Sequence, residues 1–246
     1  MAAQGDAGGK AKTMREIPAL FNGAMVRAII NDRKTQTRRI VKPHLQQVEA
    51  WRTDGHGRFY GVSRLATTGG LGVPETDFIE NPLGKPGDRL WVREAHAWVD
   101  YLVGSELEDP VCVAFAADNR VFSFAGKKPV QLDTYGWPWD RIKYRPSIHM
   151  PRWAARLFLD VLDVRIERLQ DISEEDARAE GMDWTRPQYL QPKDDNEQED
   201  PRQVGYPSAS DSFARDNFCR LWTNIYGAES WAANPWVWVT QFKRVT

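Results

Sequence analysis

From Leu157 to Ile166 the chain runs ten residues without glycine or proline. Leu157, Leu159, Val161, Asp163 and Arg165 alternate against Phe158, Asp160, Leu162, Val164 and Ile166. That is the period of a half-buried strand, with one face on a core. A strand of this length needs partners on its edges, and the chain offers them. Glu16 to Phe21 is a short apolar run, Thr37 to Val41 is β-branched and stops at Pro43, and Leu90 to Val92 follows the Pro86-Gly87 turn set by Asp88 and Arg89. Val111 to Ala117 and a terminal run from Trp236 to Val245, with Val237, Val239, Phe242 and Val245, read as further strands.

Helical signals are fewer. Asn22 is an N-cap ahead of Met25, Ala28 and Ile29 at helical spacing, in a helix ending near Asp32. Ser173-Glu-Glu-Asp176 opens a second helix with a capping pattern in which Asp replaces the usual Glu or Gln, and Gly181 ends it. Ser212 to Tyr226 forms a third, with Phe213, Phe218, Leu221, Trp222 and Ile225 on its apolar side and Gly227 as its stop. Trp137 to Pro151 is aromatic and proline-interrupted, and is expected to be an ordered loop. Five or six strands and three helices in non-alternating order predict an α+β fold or a small mixed β-barrel, not a doubly wound sheet.

Met1 to Thr13 reads as a disordered leader to a single domain over residues 14–246. Two stretches, near 44–85 and 183–211, read as insertions, the first containing a hairpin around Phe59 to Val62. With 41% hydrophobic and 27% charged residues the chain is globular in composition. It contains neither an 18-residue apolar run nor a standard secretion signal, so a cytoplasmic protein is expected. Cys112 and Cys219 are expected to be buried, reduced thiols. His44, His56 and His96 have no partner pattern and His149 reads as structural, so no metal and no cofactor is expected.

Charge is the functional signal. Six basic residues face one acid between Arg27 and Lys42, whereas Asp194, Asp195, Glu197, Glu199 and Asp200 reverse the balance later. Within Arg33 to Arg39 lie four cations and two threonine hydroxyls. A turn of this kind is able to bind a polyanion, and it also contains the ingredients of a Lys/Thr hydrolytic site. Lys34 and Thr37 meet if the segment is a helical turn and diverge if it is a continuous strand. Of the eleven tryptophans most are expected to pack, and one or two to offer a stacking surface. Trp91, alternating with Leu90 and Val92, is a candidate for the barrel mouth.

Four separated blocks carry a family resemblance: Asp32 to Arg39, Pro86 to Glu94, Ile172 to Gly181 and Trp236 to Phe242. They resemble the ASCH domain, a PUA-like β-barrel, and Tyr144 to Trp153 is similar to larger members in phage and prophage proteins. The resemblance implies RNA, modified nucleic acid or nucleoside as partner. Small members are amidohydrolases acting on N4-acetylcytidine, and others are credited with ribonuclease activity. Matched block by block, their Lys, Thr and Glu fall on Lys34, Thr37 and Glu180. In that reading Lys34 is the base, Thr37 the nucleophile and Glu180 the acid, with Arg33, Arg38, Arg39 and Trp91 as binding residues. The alternative is a non-catalytic reader of RNA or modified DNA, using the Arg33 to Lys42 stripe. The two insertions depart from the small members.

Overall fold

The computed structural model describes residues 13–62, 76–99, 112–124, 129–132, 139–182 and 213–245. In chain order these form β1 (Glu16–Leu20), α1 (Gly23–Ile30), β2 (Gln36–Ile40), β3 (Ala50–Thr53), β4 (Arg58–Val62), β5 (Ile79–Glu80), β6 (Arg89–Arg93), β7 (His96–Val99), β8 (Cys112–Phe115), β9 (Arg120–Ser123), β10 (Val130–Gln131), β11 (Phe158–Arg168), α2 (Glu174–Ala179), α3 (Phe213–Tyr226), α4 (Glu229–Ala232) and β12 (Trp236–Arg244). The fold is α+β and dominated by strands. Five of them make the main sheet in the order β1-β6-β11-β12-β2, and smaller sheets run β10-β9-β8-β7 and β3-β4-β5. The expected strand number thus matches the main sheet alone.

The alternating run sits at the centre of the main sheet, as β11, but it does not keep one face throughout. Its pairing with β12 slips between Val161 and Asp163, a β-bulge at Leu162. Leu157, Leu159 and Val161 face the core before the bulge, and Val164 and Ile166 face it after. One extra residue has moved the inward set from odd to even positions, because side chains alternate with a period of two. Leu162 is left exposed.

The expected barrel is not closed among the described residues. β1 and β2 are the two outer strands of the sheet and do not pair. A side chain spans the gap instead: Arg39 of β2 donates from its guanidinium to the Leu20 carbonyl of β1 at 2.7 Å.

Apolar layers cover both faces of the sheet. On one, Leu90, Val92, Leu159, Val164, Trp238 and Phe242 pack with Val26 and Ile29 of α1. Leu45, Phe59 and Leu83, from the described part of 44–85, join the same core. On the other, Val237 and Val239 pack with Ala177 of α2 and Phe218 and Trp222 of α3. Burial on both faces explains why β12 opens with four apolar residues in a row, Trp236 to Val239.

Arg156, just before β11, reaches Glu94 at 2.8 Å and Asp118 at 2.9 Å. Burial pushes the Glu94 carboxyl up despite Arg156. This ion triad ties the β7-β10 sheet to the main one.

The ends of the helices follow the sequence. Asn22 Oδ1 accepts from the Met25 amide at 2.9 Å and Ser173 Oγ from the Asp176 amide at 3.0 Å. Gly181 and Gly227 close α2 and α3 with φ of 89° and 95°. The aromatic loop is more regular than expected, with 3-10 turns at Trp139–Arg141 and Ser147–His149. Cys112 is buried, but Cys219 is only partly so. Among the described residues no helix is long and apolar enough to cross a membrane. The leader up to residue 12 and the second insertion lie outside the described residues.

Leu159 is fully buried on the central strand. Leu159→Ala should cost about 2–5 kcal/mol of unfolding free energy, read from the urea midpoint. Leu162→Ala, at the bulge, should cost well under half of that.

Candidate functional site

Lys34 lies between α1 and β2, in neither element. Asp32 turns the chain out of α1 with φ of 55°, and the amides of Arg33 and Lys34 both donate to the Ala28 carbonyl, at 2.8 and 3.1 Å. Lys34 then pairs with Glu180 as an isolated antiparallel bridge, and the Thr35 amide donates to Ala179 O at 2.8 Å. The cationic segment is therefore a turn running into a strand, held against the end of α2. Gly181 makes that approach possible. A Cβ there would come within 3.0 Å of both Ala28 Cβ and Lys34 Cβ.

Lys34 is 3% exposed and Glu180 5%. The Lys34 Nζ donates to Glu180 Oε2 at 2.7 Å and to the Glu180 carbonyl at 3.0 Å. Arg38 donates to the other carboxylate oxygen at 3.1 Å. Burial pushes the Lys34 ammonium below its ordinary 10.5; Glu180 opposes that shift, and Arg39 and Arg38 add to it.

Arg38 is held by more than Glu180. Its guanidinium also reaches Glu167 at 2.5 Å and Asp176 at 2.9 Å, over the Phe218 ring. Arg165 joins the same acids, meeting Glu167 at 2.9 Å and Asp176 at 2.7 Å. Three cations (Lys34, Arg38, Arg165) thus meet three carboxylates (Glu167, Asp176, Glu180). Burial works against the charge on Asp176, yet Arg38 and Arg165 hold its carboxyl below the usual range. Glu167, Asp176 and Arg165 are not among the expected site residues: Arg165 enters only the strand alternation and Asp176 only the helix cap. One signal was available: an Asp at the third helical position. The Asp176 side chain turns to the arginines while its amide takes the Ser173 cap.

Thr37 is buried and pairs with Thr240 across β2 and β12. Its hydroxyl makes no hydrogen bond to Lys34 or Glu180 among the described residues. Thr37 and Arg38 lean to opposite faces of β2. Both still border one cavity of about 50 Å³, because β2 is the edge strand of its sheet. Glu180, Met25, Phe218 and Tyr226 also line it. A second cavity, of about 310 Å³, opens between α1 and the α2 end and is lined by Asn22, Arg27, Asn31, Arg33 and Gly181. The two share Met25, Glu180 and Leu221. The larger falls in the size range of small-ligand sites, and the smaller takes no more than a short substituent or a few waters.

The candidate binding residues are sorted by burial. Arg33 is exposed at the larger cavity, and Arg39 is half-buried at the smaller one. Arg38 is not free to meet a phosphate: its guanidinium is buried, both terminal nitrogens donate to carboxylates, and only the enclosed Nε lacks a partner among the described residues. Trp91 does not line a barrel mouth. It is buried with Val113, Phe115 and Met150 and borders neither cavity.

Removing either member of the central pair should have unequal effects. Glu180→Gln strands Lys34 without a counter-charge and should cost about 3–5 kcal/mol in chemical denaturation. Lys34→Met should cost less, because Arg38 still neutralises Glu180. The lowered Lys34 pKa means the unfolded chain binds the extra proton. The stability of the wild type relative to Lys34→Met should therefore rise with pH up to about 10.5, in urea melts across the alkaline range.

No known protein family, curated protein or solved structure matches this chain, so the reading of the site rests on its own geometry.

Proposed function

We propose that the chain is an ASCH-type, PUA-like protein that hydrolyses an amide on an acylated or otherwise modified nucleobase or nucleoside, with Lys34, Thr37 and Glu180 as its working set. One observation carries the reading. Glu180 lines both cavities, and its carboxylate is 2.7 Å from a buried lysine whose pKa is lowered. The larger cavity has the volume for a nucleoside, with Arg33 and two asparagines at its walls. The smaller one, bordered by Thr37, has room for a short acyl group.

In the proposed reaction Lys34 starts as the free amine and serves as the base, and Glu180, 2.7 Å away, serves as the acid. Lys34 Nζ takes the Thr37 proton as Oγ1 attacks the acyl carbonyl, and Arg39 faces the oxyanion. The C–N bond then breaks while Glu180 gives its proton to the leaving amine. Water cleaves the resulting Thr37 ester and restores the protons. A cytoplasmic, phage-derived setting belongs to the same resemblance.

A second reading is a reader without chemistry that clasps RNA or modified DNA along Arg33 to Lys42. The missing Thr37–Lys34 hydrogen bond favours it. N4-acetylcytidine separates the two. The hydrolase should release cytidine, with Thr37→Ser active and Thr37→Val slower by about 10²-fold or more, by chromatography of the products. A wild type that shows no turnover but binds oligonucleotides with a steep salt dependence is the reader.

A further inference from the structure

His96 and Trp98 lie on one face of β7, His96 fully buried and Trp98 37% exposed. Trp98 stacks on Trp153 at 5.1 Å and 20° between the rings, and Trp153 is 50% exposed. Phe124 meets Trp153 edge-on at 5.9 Å, and His96 meets Trp98 edge-on at 5.1 Å. Two stacked indoles open to water are an unusual use of the largest apolar side chains.

Basic side chains lie around His96, the ring that touches Trp98. The backbones of His96 and Arg145 exchange hydrogen bonds at 3.2 and 2.7 Å, which fixes exposed Arg145 beside the strand. Arg93 donates to the Ile148 carbonyl, and His149, next in sequence, is exposed rather than packed. Burial lowers the His96 pKa, and Arg145, His149 and Arg93 all add to that shift, so all three lie near its ring. Among the described residues no carboxylate lies within ion-pair distance of Arg93 or Arg145. Two buried nitrogens in the same place, Arg93 Nε and His96 Nε2, have no hydrogen-bond partner among the described residues. None of these residues borders the cavities at Glu180.

We infer that Trp98 and Trp153, flanked by Arg93, Arg145 and His149, form a stacking platform for single-stranded nucleic acid. An exposed indole takes a base by π-stacking, and unpaired cations beside it take the phosphates. A protein partner would have to bring acids and an apolar surface in register, whereas every nucleotide of a single strand carries both a phosphate and a base. The platform is independent of the hydrolase reading, since it shares no residue with that site.

Fluorescein-labelled single-stranded oligomers of about ten nucleotides, one RNA and one DNA, test this by anisotropy at two salt concentrations. The wild type should bind at least one of them, and a preference between the two identifies the sugar recognised. Trp153→Ala should weaken binding about tenfold or more, and Trp153→Phe should recover most of it. Arg145→Ala should weaken binding and reduce the log–log salt slope by about 1. Both side chains are exposed, so the core stays intact in each variant. The platform is wrong if neither oligomer binds at low salt. It is equally wrong if Trp153→Ala and Arg145→Ala bind as the wild type does, or if Arg33→Ala alone weakens binding.

Discussion

Arg38 has a fully buried guanidinium held by carboxylates from β11 and from α2 and its C-cap. Removing such a charge from water is costly, and only several well-placed acids make it tolerable. The arrangement that satisfies it is narrow. β2 must lie at the edge beside β12, α2 must end over β2, and β11 must present Glu167 towards both. Lys34 then meets Glu180 because the same helix end is already fixed. Other placements of the edge strand or the helix would leave a charge buried and unpaired.

The bulge in β11 serves the same arrangement. Before Leu162 the odd-numbered residues face the core, and after it the even-numbered ones do. Without that slip, Asp163 and Arg165 would point into an apolar layer and Val164 and Ile166 away from it. With it, Arg165 and Glu167 reach the polar network under α2. The core and the site are thus set by one extra residue in one strand.

The cationic stripe separates by depth. Lys34 and Arg38 are enclosed and neutralised, Arg39 bridges the open side of the sheet, and Arg33 faces a cavity. Positive charge with no ion-pair partner among the described residues also gathers far along the chain, at Arg93 and Arg145 near Trp98. Linear charge density therefore marked the buried network better than the accessible surface.

Caps, stops and alternation were legible in the sequence because each depends on neighbours within a few residues. Asn22, Ser173, Gly181 and Gly227 set helix ends locally, and the β-branched and aromatic runs became strands. The Lys34, Thr37 and Glu180 set was named from block resemblance, and Lys34 and Glu180 do touch. The open edge between β1 and β2, the bulge at Leu162, the burial of Trp91 and the partners of Arg38 were not legible. Each of these depends on which distant segment lies opposite, and periodicity carries no record of that. The sequence by itself located the strands of the main sheet and the caps and stops of three helices. Only the tertiary structure decided which charges meet, because burial of an ion is settled by every segment that closes over it.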